Sequence, residues 1–94
     1  MSFAEFLKGA APAPGTKAPL AALWHDAHGD WERAHACVQD DASRDGAWVH
    51  AYLHRREGDD SNARYWYSRA GRTPPATNVT LDAERAAIGE ALSA

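Results

Sequence analysis

The feature that most restricts how this chain folds is an echo inside it. The stretch LWHDAHGDWERAH, residues 23–35, is answered by YLHRREGDDSNAR, residues 52–64. Gly58 lies 29 residues after Gly29, and at the same offset Ala22 meets Ala51, His25 meets His54, Asp30 meets Asp59 and Ala34 meets Ala63. Each shared residue has a physical task. Glycine takes the backbone through a left-handed turn that other residues resist. The aspartate after it offers a side-chain oxygen to the free N–H groups opening the next helix. The alanines stand where two antiparallel helices approach too closely for a larger side chain. Two copies of a helix–turn–helix unit follow, and the crowd of Trp, His and Asp in the first copy is assigned largely to folding.

The rest of the chain fits around these units. Ser2 and Glu5 form a capping-box pattern that opens a short helix over 3–9. APAPGTKAP, residues 11–19, is a Pro/Gly linker. From Pro19, the residues Leu20, Leu23, Trp24 and Ala27 recur at helical spacing, and Trp31, Ala34 and Val38 mark the helix after Gly29. Ser43 or Asp45 caps the next helix, whose apolar stripe holds Trp48, Ala51 and Tyr52. A further helix runs to Gly71, where RTPPATN forbids continuation. Thr80 caps a last helix over 81–92, with Leu81, Ile88 and Leu92 on one side and a polar gap at Glu84 and Arg85. Ala is abundant and β-branched residues are few, which favours helices over strands. The expectation is an all-α fold of about six helices in a single domain, 1–94.

The turn GDWERA (29–34), and more loosely GDDSNA (58–63), resembles the tetratricopeptide repeat. Ala70 and Pro75 fall where that repeat has its second small residue and its closing proline, and Ala22 and Ala51 take the small-residue position of the first helix. The likeness covers residues 19–75. Its departures are a 29-residue period, Asp41 where a second small residue belongs, and only two units. The flanking helices 3–9 and 81–92 then have to act as caps. The whole pattern also resembles a group of short bacterial and fungal proteins, a likeness that brings no activity with it.

The resemblance implies a concave face lined by the first helix of each unit. By the alignment that face includes Asp26 in the first unit and Trp48, Tyr52, Arg55 and Arg56 in the second. Aromatics beside two arginines suit a peptide bearing carboxylates. The preferred expectation is therefore a small cytoplasmic interaction module that binds a peptide or protein partner, or a second copy of itself.

The alternative is a small enzyme or metal-binding protein. His50 and His54 are four residues apart on one helical face, with Glu57 a turn further on, and His25 matches His54 in the neighbouring unit. His25, His50, His54 and Glu57 are candidate ligands for a divalent ion. No HExxH motif, Gly-rich phosphate loop or nucleophile elbow is present, and no cofactor is expected. Net charge is −3, which argues against nucleic acid as a partner. No apolar run is long enough for a membrane span, and Cys37 stands alone, so the chain has neither an internal disulfide nor a multi-cysteine zinc site.

Overall fold

The structure, a computed structural model, describes residues 2–93. Met1 and Ala94, the ends of the expected domain, lie outside the described residues. Six α-helices follow one another: α1 (Phe3–Lys8), α2 (Ala18–Ala27), α3 (Trp31–Val38), α4 (Arg44–Arg56), α5 (Asp60–Ala70) and α6 (Leu81–Ser93). Among the described residues there is no strand. The fold is all-α, as the periodicity requires.

The caps lie where the side chains dictate. Ser2 Oγ accepts from Glu5 N at 3.2 Å, Ser43 Oγ from Gly46 N at 3.0 Å, and Thr80 Oγ1 from Ala83 N at 3.0 Å. The two echoed turns are alike in detail. Gly29 and Gly58 adopt φ of 83° and 86°. Asp30 Oδ1 caps Arg33 N at 3.0 Å, and Asp59 Oδ1 caps Asn62 N at 3.2 Å. In each turn the aspartate N–H also returns to the histidine carbonyl five residues back, Asp30 to His25 and Asp59 to His54, both at 2.9 Å. The 29-residue offset thus carries one turn geometry twice.

Helices α2 and α3 pack as one hairpin and α4 and α5 as the next, with α3 against α4 between them. One apolar cluster draws on α1, α2, α3, α4 and α6 through Phe3, Leu23, Val38, Val49, Leu53 and Ile88. A smaller one, Ala51, Ala63 and Tyr67, closes the second hairpin. Each large aliphatic side chain removed from water there contributes roughly 1.5–3 kcal/mol.

Helix α6 does more than cover an end. It packs against both α2 and α4, the first helices of the two hairpins. Helix α1 is tied to it by the Phe3 ring, which lies against Gly89 so closely that a Cβ there would collide with it. No described helix is long and apolar enough to cross a membrane.

Candidate functional site

Helix α4 carries two polar faces, and they meet different neighbours. The first contains the positions expected to line an open concave groove. Helix α6 packs along it. Asp26 is buried: its carboxylate accepts from the Tyr52 hydroxyl, pairs with Arg56 Nε at 3.0 Å and with Arg85 Nη1 of α6 at 3.3 Å. Arg55 Nη1 meets Glu84 of α6 at 2.9 Å, and the Tyr67 hydroxyl donates to the same carboxylate. Tyr52 is fully buried. Asp26, Tyr52, Arg55 and Arg56 therefore make hydrogen bonds and ion pairs within the chain, and α6 packs across the helices that carry them. The polar gap in the α6 stripe, Glu84 and Arg85, turns out to face this seam rather than solvent. Arg55 also borders an open cleft of about 360 Å³, which Tyr67, Arg64 and Pro74 help to line. Trp48 is half-buried at the edge of the core, with the Arg72 guanidinium 3.7 Å from its ring centroid.

The second face of α4 carries His50 and His54, one helical turn apart, and brings them to α3. There His35 approaches, its Nε2 3.1 Å from Nε2 of His50. One ring nitrogen from each of His35, His50 and His54 lies within 4.8 Å of the others. His50 and His54 are 4% and 7% exposed, while His35 is half-buried. The cluster is walled by aromatic rings: Trp31 stacks on His35 at 4.9 Å and Trp66 on His50 at 4.0 Å. Trp31 is itself anchored, its Nε1 donating to the Leu53 carbonyl at 2.7 Å.

Orientation is fixed around His54 as well. Its Nδ1 lies 2.6 Å from Glu57 Oε1, and its Nε2 lies 3.4 Å from Asn62 Nδ2. A proton on Nδ1, given to the carboxylate, leaves the Nε2 lone pair free to accept. The buried Nδ1 of His50 has no hydrogen-bond partner among the described residues. Burial pushes the His50 pKa down to about 4, and the neighbouring His54 and His35 add to the shift. Burial lowers His35 too, with His54 contributing. His35 and His50 are therefore held neutral at pH 7, the state in which an imidazole lone pair binds a metal.

The expected metal set is thereby amended. His50 and His54 converge, with Glu57 beside them, but His25 does not belong to the cluster. It sits on α2, its ring edge-on to Trp24. His35 takes the place given to His25. The alignment paired His25 with His54 because their backbones make the same turn, yet their side chains serve different surroundings. The overlooked signal was WERAH: Trp31 and His35, four apart on the helix that packs against α4. Cys37 is half-buried, and burial pushes its thiol pKa up, the opposite of an activated nucleophile.

No protein-family model, curated protein or solved structure matches this chain. The functional reading rests on the geometry alone.

Proposed function

We propose that the protein binds one divalent transition-metal ion, zinc first among them, through the imidazoles of His35, His50 and His54. The observation that carries this reading is the convergence of three imidazoles from two helices. Two nitrogens each about 2.0–2.1 Å from a tetrahedral zinc lie roughly 3.3–3.4 Å apart. The 3.1 Å between His35 and His50 is close to that spacing. All three nitrogens lie within 4.8 Å of one another, so His54 has to draw in by up to about 1.4 Å to reach that spacing. Glu57 supplies the carboxylate partner that metal-bound histidines ordinarily have. Imidazole donors without thiolate suit Zn2+, Cu2+, Ni2+ and Co2+, and disfavour the hard ions Ca2+ and Mg2+.

The two hairpins are read as tetratricopeptide-like units closed by α6, on the strength of their matching turns. Partner binding in the concave face is the lesser reading, since α6 occupies it.

Calorimetric titration of metal-stripped protein with zinc, together with elemental analysis, tests the proposal. One zinc per chain is expected, with binding lost in His50→Ala and retained in His25→Ala. Cu2+ should also quench the fluorescence of Trp31 and Trp66, whose rings stack on two of the proposed ligands. A stripped protein that takes up no metal, or a His50→Ala variant that binds as tightly as the parent, overturns it.

A further inference from the structure

We propose that this metal centre keeps a fourth coordination position open to water, hydroxide or a small monodentate anion, so that it exchanges ligands rather than clasping the fold. The inference rests on the metal reading above. It follows from the count of donors, from charge and from access.

Structural zinc sites are closed by four protein ligands, whereas sites with three leave the fourth position to water or substrate. Around this cluster the described donors number three imidazoles. Glu57 is engaged with Nδ1 of His54, where it orients a ligand instead of being one. Asn62 presents its amide nitrogen, a donor that cannot bind a cation, to Nε2 of the same ring. Cys37 is two residues beyond His35, about 200° further round α3, and packs against the apolar core. Asp59 also lies near His54, but its Oδ1 caps Asn62 N and accepts from Ser61. Among the described residues no fourth ligand converges on all three imidazoles.

Charge points the same way. Three neutral imidazoles leave both positive charges of the ion uncompensated in a largely buried setting, where an unbalanced charge is costly. A hydroxide or a small anion on the metal offsets one of them. The carboxylates beside the cluster, Glu57 and Asp59, approach His54 and offset the charge from a distance. Access limits the size of the incoming group. His50 and His54 are buried, His35 alone reaches the half-buried margin, and the Trp31 and Trp66 rings flank the set. Entry past the half-buried His35 edge favours a small anion over a bulky chelate.

The structure also has no need of the ion as a staple. The hairpins are closed by their own turns and alanine contacts, and α6 is held by the Asp26 and Glu84 ion pairs and the Phe3–Gly89 contact.

The full chain loaded with Co2+ provides the test, because cobalt reports its coordination in the visible spectrum. One cobalt per chain with the intense bands of a four-coordinate ion is expected, and those bands should shift on titration with sodium azide while the stoichiometry stays at one. A bound cobalt whose spectrum azide leaves unchanged overturns the open position and leaves the metal reading standing. Loss of cobalt to azide likewise overturns it. A protein that binds neither cobalt nor zinc defeats both readings, and His50→Ala, carried in parallel, distinguishes cobalt at this site from cobalt elsewhere.

Discussion

Helix α4 shows two ways of burying polar groups. Towards α6 it buries charges, and every one is answered: Asp26 by Tyr52, Arg56 and Arg85, and Glu84 by Arg55 and Tyr67. Towards α3 it buries imidazoles that answer one another only in part, with Nδ1 of His50 left without a partner among the described residues. The seam is complete in itself and works as structure. The histidine cluster instead brings three ring nitrogens together without a charge between them, an arrangement that suits a cation.

The largest break in this comparison comes from removing one partner of the seam. Asp26→Ala leaves the Arg56 and Arg85 guanidiniums without their buried counter-charge, and should cost about 3–5 kcal/mol in denaturant unfolding. The variant should retain zinc stoichiometry if it is studied well below its denaturation midpoint.

Acid and alkali should attack opposite faces of α4. The His50 pKa falls from 6.5 when unfolded to about 4 when folded. The unfolded chain then binds more protons in that window. Its contribution to stability is complete above pH 6.5 and is lost as pH falls through about 4, amounting to as much as ~3 kcal/mol. Tyr52 and Tyr67 shift the other way, raised by burial and by the carboxylates they donate to. Their contribution is complete below pH 10 and is lost as pH rises beyond it. Unfolding followed across the pH range should therefore show a smaller acid limb, and an unchanged alkaline limb, in His50→Phe. An acid limb unchanged in that variant would show that His50 does not carry it.

A smaller effect is expected at Glu57. Glu57→Gln keeps an oxygen for His54 but removes the charge that raises ligand basicity, and should weaken zinc about tenfold without changing the midpoint of metal-free unfolding. The smallest lies at the exposed end of the seam. Asp82 pairs with Arg56 at 3.3 Å and Arg85 at 3.2 Å, but its side chain is 79% exposed. Asp82→Ala should cost less than about 0.5 kcal/mol. The same two arginines thus give a large effect through Asp26 and a small one through Asp82. Equal losses would show that burial is not what separates them.

The local rules were legible because each rests on one or two residues. Ser2, Asp30, Ser43, Asp59 and Thr80 cap where their side chains allow, and Gly29 and Gly58 turn where their φ requires. The seam was hidden because it depends on pairing at long range. Glu84 and Arg85 read as a flaw in an apolar stripe until Asp26 and Arg55, from other helices, are placed opposite them. The same holds for the metal-ligand set. His50 and His54 announce themselves by their spacing, but their companion is chosen by which helix lies alongside α4. Backbone similarity pointed to His25, whereas packing supplied His35.

The contact between Phe3 and Gly89 has a consequence for how the molecule comes apart. An array of hairpins that touch only their neighbours unfolds piecemeal, one unit at a time, because each interface can fail alone. Here a ring from the first helix is seated on the last, while that last helix spans both hairpins. Neither hairpin can open without exposing apolar surface that belongs to the other, so the echoed units are bound into one cooperative transition.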